Sequence, residues 1–219
     1  MSGDSQRLAR EGHREPGLSL ALYWLLKWGL VHPLLLSYFQ GRIYGSENVP
    51  LDGPLLVVSN HASYFDPPLL SSAMRRPVAY MAKAELFEVP VLSPAIRLYG
   101  AYPVTRETSD RSALRSALSR LEEGWAVGVF LQGTRTIDAR IPSPKLGAAL
   151  IAAKANVPLL PVSLWGTQDI LRSTIPRPNP VTIRIGVPIP PPQSSDRAEL
   201  RGVTQRCVNA IHALHDQGR

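Results

Sequence analysis

The order of apolar and polar positions along the chain reads as strands alternating with helices. Residues 18–40, LSLALYWLLKWGLVHPLLLSYFQ, form the longest apolar run. It is long enough to cross a bilayer, for which about 20 residues suffice. Lys27, His32 and Pro33 divide it into pieces at 18–26 and 28–39, each too short to cross alone. Residues 42–48 alternate like a short strand, and 48–53 make a turn marked by Pro50 and Gly53. The run PLLVVS at 54–59 has no alternation, as expected of a strand buried on both faces of a parallel sheet. Asp66-Pro67-Pro68 opens a helix to about Met74, with Asp66 as its N-cap. Short strands are expected at 78–81 and 102–105, separated by mixed helical text at 85–99 that Pro90 and Pro94 interrupt. The clearest helix covers 109–123, with Ala113, Leu114, Ala117, Leu118 and Leu121 on one face and Gly124 just past its end. A buried strand at 126–131, a helix at 146–154 ended by Asn156, and a strand at 159–164 follow. Residues 181–187 alternate and suit a sheet edge, and prolines stiffen 188–192. Asp196 caps a last helix with Leu200, Val203, Cys207, Ile211 and Leu214 on one face. The rhythm predicts an α/β fold, a largely parallel sheet flanked by helices. An N-terminal tail and apolar helical anchor at 1–40 would precede a single domain at 41–219.

Composition narrows the partners. The 219 residues are 44% hydrophobic, which suits one sizeable core and excludes disorder throughout. Lys and Arg number 24 against 17 Asp and Glu, a net charge of +7 that favours an anionic surface. The basic residues are scattered and no nucleic-acid-binding motif appears, so no nucleic acid partner is expected. One cysteine excludes an internal disulfide and a cysteine-cluster metal site, and makes a reducing compartment the default. The apolar run begins after a polar stretch and lacks a small-residue cleavage site, unlike a cleavable signal. Tyr23, Trp24, Trp28 and Tyr38 favour a membrane–water interface, and Arg7, Arg10 and Arg14 suit anionic head groups. These features favour a half-inserted, monotopic helix at the cytoplasmic face over a full span, with a helix packed on the core as the alternative.

The candidate chemistry lies at strand ends and in loops, where open α/β sheets build their sites. In Asn60-His61-Ala62-Ser63-Tyr64-Phe65-Asp66, a histidine follows a buried strand and a carboxylate opens a helix. A tight loop can bring Asp66 to His61, fixing its tautomer so that the other ring nitrogen takes a proton from a hydroxyl. The plain alternative is a helix cap, but Pro68 has no amide proton and leaves only the Leu69 N–H to cap. Gly100 to Arg106 is a short strand ending in a cation. At 130–135, Phe-Leu-Gln-Gly-Thr-Arg ends a buried strand, where Gly133 permits close approach, Thr134 offers a hydroxyl and Arg135 can grip a phosphate. Lys145 precedes a helix, and Val157 to Ser163 is an apolar strand entered by Pro158. His212 and His215, three apart on the last helix, read as solvated.

Taken in order, these pieces resemble the lysophosphatidic acid acyltransferase family of glycerophospholipid acyltransferases. That family's Asn-His-x-x-x-x-Asp motif is similar to Asn60, His61 and Asp66. Its Gly-strand-Arg motif is similar to Gly100 and Arg106, and its Phe-Pro-Glu-Gly-Thr-Arg motif to residues 130–135. Its proline-bearing apolar strand is similar to Pro158 and Pro161, and its Ala-Lys-x-Glu-Leu segment to residues 82–86. The resemblance covers about 43–167. It departs at Leu131-Gln132, where the family has Pro-Glu: Gln132 keeps the reach of Glu and loses its charge. The resemblance implies acyl transfer from acyl-CoA or an acyl carrier protein thioester to the free 2-hydroxyl of 1-acylglycerol 3-phosphate, giving phosphatidic acid. His61 and Asp66 would be catalytic. Arg106, Gln132, Gly133, Thr134 and Arg135 would bind the acceptor, and Lys83 and Lys145 the donor's phosphates. No metal or resident cofactor is implied. Another lysolipid or glycerol 3-phosphate as acceptor, a lipid esterase and a non-catalytic lipid-binding relative stay open, as do the donor, chain length and oligomeric state.

Overall fold

Seven strands build one sheet in a computed structural model that describes residues 17–90, 93–94, 96, 101–104, 109–170 and 176–219. They are β1 (Arg42–Tyr44), β2 (Leu55–Ser59), β3 (Val78–Lys83), β4 (Tyr102–Val104), β5 (Ala126–Phe130), β6 (Leu159–Trp165) and β7 (Thr182–Ile185). The order across the sheet is β1-β7-β6-β2-β5-β3-β4. β6, β2, β5, β3 and β4 run parallel, β7 runs antiparallel to β6, and β1 runs parallel to β7. The helices are α1 (Gly17–Leu26), α2 (Asp66–Ala73), α3 (Ser109–Glu122), α4 (Gly147–Ala155) and α5 (Arg197–His215). The α/β class and the largely parallel sheet read from the sequence are both present.

β2 shows why its sequence does not alternate. Leu55 and Val57 pack in one layer with Leu69, Leu70 and Met74 of the α2 region and with Leu35 and Phe39. Leu56 and Val58 pack in the other layer with Leu121 of α3, Ile151 of α4 and Val203, Cys207 and Ile211 of α5. Both faces are dry, and each such side chain contributes about 1.5–3 kcal/mol relative to exposure. Helix ends follow the sequence signals. After α3, Gly124 at φ +85° donates to the Leu121 carbonyl, and Trp125 N–H to that of Arg120. Asn156 ends α4 in the left-handed region at φ 52°.

Three expectations change. The alternating strand at 181–187 is not an edge: β1 covers it, and all four residues of β7 are buried. Its polar Arg184 stacks 4.4 Å from the Tyr44 ring centroid and donates to the Gly218 carbonyl at 3.3 Å, so the alternation marks a cation held inside the fold. Asp196 stands at the N-cap of α5 but makes no capping bond; its carboxylate accepts the Ser194 hydroxyl at 2.9 Å. The interruptions of the N-terminal apolar run are attachments. α1 continues through π-helical turns at Lys27–Val31 and Leu34–Tyr38. Lys27 is fully buried, donates to the Met74 carbonyl just past α2, and lies 4.9 Å and 5.3 Å from the Trp24 and Trp28 ring centroids. Burial lowers its pKa to about 8. His32 Nδ1 lies 2.9 Å from the Ser72 hydroxyl. Among the described residues, no helix is long and apolar enough to cross a membrane.

Gly128 in β5 leaves room for the Tyr80 ring, which a methyl group there would overlap. Gly128→Ala should therefore destabilise the fold by about 1–3 kcal/mol. Gly202→Ala, in open space on α5, should stabilise it by about 0.5–1 kcal/mol. Denaturant unfolding of the two variants checks the opposite signs.

Candidate active site

β2 and β5 are parallel neighbours in register, with Ser59 opposite Phe130, and both end at the same edge of the sheet. The chain leaving β2 carries Asn60 to Asp66, and the chain leaving β5 carries Gln132 to Lys145. The Leu131 N–H donates to the Ser59 carbonyl at 3.0 Å and the Thr136 N–H to the His61 carbonyl at 2.9 Å, so the loops are joined by backbone before any side chain acts.

Asn60 is buried and its side chain extends the ladder. Its Nδ2 donates to the carbonyls of Leu164 at 2.8 Å and Ala139 at 3.0 Å, and its Oδ1 accepts the Leu164 N–H at 2.8 Å. The loop beyond turns on Ala139, a non-glycine residue at φ 57°.

Asp66 is the first residue of α2, whose N-cap is Phe65 rather than Asp66. The Leu69 N–H bonds to the Phe65 carbonyl at 3.0 Å. The carboxylate instead turns back into its own loop. Its Oδ2 accepts the Ala62 N–H at 2.6 Å, the Ser63 N–H at 2.8 Å and His61 Nδ1 at 2.8 Å. Asp66 is 0% exposed and His61 18% exposed. A carboxylate only accepts, so Nδ1 carries the proton and Nε2 is the basic nitrogen of His61. The imidazole stacks on Phe130 at 4.0 Å between centroids and 15° between planes, and Phe130 in turn faces Tyr80 at 6.0 Å. The dyad is thus oriented by a buried anion on one side and an aromatic face on the other.

Gly133, Thr134 and Arg135 are exposed beside this pair, with Gly133 at φ +70°. The stem of Lys145 passes 3.7 Å from where a Cβ on Gly133 would sit, so Lys145 joins the glycine turn. The Arg135 guanidinium lies 3.5 Å from the centroid of the exposed Tyr64 ring, a cation–π contact that joins the two loops. Gln132 is 5% exposed, and its amide nitrogen lies 3.2 Å from the His61 carbonyl and 3.1 Å from that of Arg140. Lys83 ends β3, in register with Val104. Gly100 and Arg106 lie outside the described residues.

The sequence did not reveal Tyr64, Phe130 or the ties from the second loop to α5. Arg140 Nη2 pairs with Asp216 Oδ1 at 2.5 Å, and His212 Nε2 accepts the Ile141 N–H at 3.2 Å. His215 is buried with Nδ1 3.2 Å from the Ser163 hydroxyl. His212 and His215 are therefore packed rather than solvated, because the last turn of α5 lies against β6 and this loop. Their separation of three residues gave the face but not what it meets. Among the described residues, no cluster of His, Cys, Asp and Glu is arranged to hold a metal ion.

Residues 40–165 match the family model described as acyltransferase. The 1-acyl-sn-glycerol-3-phosphate acyltransferase of Chlamydomonas reinhardtii is 32% identical over 166 residues, covering 73% of this chain and 50% of that protein. The enzyme of the same name from Bacillus subtilis (strain 168) is 32% identical over 126 residues, covering 57% of this chain and 62% of that protein. The chain thus spans about half to three fifths of the length of these curated relatives. The crystal structure of the 1-acyl-sn-glycerophosphate acyltransferase PlsC from Thermotoga maritima superposes with a TM-score of 0.68 at 28% identity. That match covers 90% of this chain and 87% of that one.

The histidines of α5 give a pH dependence. Burial first, then the Arg140 charge, lowers the pKa of both His212 and His215, while Asp216 and Asp138 oppose the shift. His212 further lowers that of His215. The unfolded chain then binds these protons first, so stability is full above the unfolded imidazole pKa of about 6.5 and is lost as pH falls below it. The urea midpoint should drop between about pH 7 and pH 5, a window above the ordinary carboxylate range. The slope should flatten in the His212→Gln, His215→Gln double variant.

Proposed function

The chain belongs to the acyltransferase family, and from that premise we propose that it acylates the 2-hydroxyl of 1-acylglycerol 3-phosphate, using an acyl-CoA or acyl carrier protein thioester and forming phosphatidic acid. The observation that supports this best is the buried Asp66 carboxylate, 2.8 Å from His61 Nδ1, beside an exposed Gly-Thr-Arg turn. His61 Nε2 removes the proton of the acceptor hydroxyl as its oxygen attacks the thioester carbonyl. Asp66 stabilises the imidazolium so formed. The tetrahedral intermediate collapses, the C–S bond breaks, and the imidazolium returns its proton to the leaving thiolate. The products are an ester and a free thiol, with no acyl-enzyme between them. Arg135, with Gly133 and Thr134, binds the acceptor phosphate, and Tyr64 holds the Arg135 guanidinium in place from below. Arg106 adds a second cation to that phosphate, and Lys83 and Lys145 serve the phosphates of the donor.

The substrates are lipids, and the N-terminal helical segment is the surface that meets them. Leu25, Trp28, Leu30, Leu36 and Tyr38 are exposed along it, although Lys27 is buried beneath. This arrangement suits a segment lying in the interface at the cytoplasmic leaflet, where thioester donors are found, rather than one that spans.

Acyl transfer by the purified chain in detergent, read by mass spectrometry, tests the reading. Phosphatidic acid should form from wild type, and His61→Ala should lower kcat by about 10²- to 10⁴-fold, the usual contribution of a general base. Near-normal turnover in a folded His61→Ala protein would sink the assignment. Replacing Trp28, Leu30 and Leu36 together by Ser should remove the protein from floated anionic vesicles while leaving turnover of a micellar acceptor intact. Continued flotation would move the membrane contact elsewhere.

A further inference from the structure

Gln132, with Leu131, is where the chain departs from the motif pattern of the acyltransferase family, and the surroundings of Gln132 suit an amide. The side chain points into the protein, not toward the exposed turn that follows it. Its Nε2 faces three oxygens: the His61 carbonyl at 3.2 Å, the Arg140 carbonyl at 3.1 Å and the Thr136 hydroxyl at 3.2 Å. The two carbonyls can only accept, and an amide NH₂ has two protons to donate. Thr136 fills the remaining space, donating its hydroxyl to the Arg140 carbonyl at 2.8 Å and its backbone N–H to the His61 carbonyl at 2.9 Å. A carboxylate in this position would set a negative oxygen against two carbonyl oxygens with no proton between them. Only its protonated form has a donor, and it has one where the amide has two.

We propose that Gln132 is a positioning residue whose neutral amide clamps the backbone of His61 to the Arg140 carbonyl, a bond pattern that a glutamate there supports only when protonated. The proposal rests on His61 being the base of the reaction. The His61 carbonyl is one residue's backbone away from the imidazole that Asp66 orients, so the clamp sets where that ring starts. Arg140, the other end of the clamp, is tied through its side chain to Asp216, the residue that ends α5. The base is therefore held from the C-terminal helix through Arg140 and Gln132. This differs from a role in gripping the acceptor: Gln132 touches protein backbone, so its loss acts on turnover rather than on acceptor affinity.

Full-length Gln132→Glu and Gln132→Met chains are compared with wild type across about pH 5.5–8, a window chosen because a buried carboxyl facing acceptors titrates above the usual carboxylate range. At pH 8, both should lose about tenfold in kcat while the KM for 1-acylglycerol 3-phosphate stays within about twofold. On acidification the Gln132→Glu protein should recover relative to wild type at the same pH, and Gln132→Met should not. Thermal unfolding gives the same contrast without turnover. A carboxyl whose folded pKa is raised contributes full stability at low pH and loses it as pH rises. The Tm deficit of Gln132→Glu should therefore grow from acid toward pH 8, whereas that of Gln132→Met stays level. Wild-type kcat in Gln132→Glu at pH 8, an acceptor KM raised tenfold with kcat intact, or a pH-independent Tm deficit in Gln132→Glu would overturn the proposal. If wild type fails to acylate this acceptor while the Tm contrast holds, the acceptor assignment falls and the clamp stands.

Discussion

The site depends on how two parallel strands are allowed to end. Where β2 stops, its backbone donors and acceptors lose their ladder partners in the middle of a dry sheet, and an unpaired buried group is costly. Asn60 meets that constraint with a side chain that imitates a peptide, exchanging bonds with both polar groups of Leu164 and donating to Ala139. The next residue is then free to leave the sheet, and that residue is His61. Asp66, six residues beyond Asn60, repeats the device by gathering two loop N–H groups and the imidazole on a single oxygen. The residues that orient the proposed base are thus also those that pair the backbone groups of the chain as it turns away from the sheet.

Much of this was legible in the sequence, and the reason is local. Continuous apolar runs marked β2 and β5 because both faces of those strands are covered. Gly124 and Asn156 marked helix ends because the backbone there enters the left-handed region. The spacing of His61 and Asp66 fits one tight turn. What escaped detection joins residues far apart in the chain: Gln132 to the His61 carbonyl, Arg140 to Asp216, and Arg135 to Tyr64. No periodicity connects such pairs; they meet because β2 and β5 are neighbours and α5 returns to the same edge. The polar residues of β7 misled for a related reason. Alternation signals a solvated face only when nothing packs over it, and here Tyr44 of β1 and the chain after α5 lie on Arg184 from opposite ends of the sequence.

Lys27 shows the same lesson in reverse. In a linear reading it interrupts a hydrophobic run and shortens it. In the fold it is the buried end of a contact with the Met74 carbonyl, flanked by two indole rings and followed by the His32–Ser72 pair. A cation at the C-terminal end of a helix also complements the partial negative charge there. The charge that breaks the apolar pattern is what fastens that segment to α2 and the sheet behind it.

α2 is eight residues long, about 12 Å at the usual rise per residue. One end supplies the carboxylate that holds His61, and the carbonyl just past the other receives Lys27. Were the N-terminal segment to rest in lipid as proposed, that short rod would become a ruler fixing the height of the imidazole above the leaflet. Selection among acceptors would then turn on how far each molecule's hydroxyl must be lifted out of the bilayer to reach that height, a mechanical criterion separate from the chemistry of its head group.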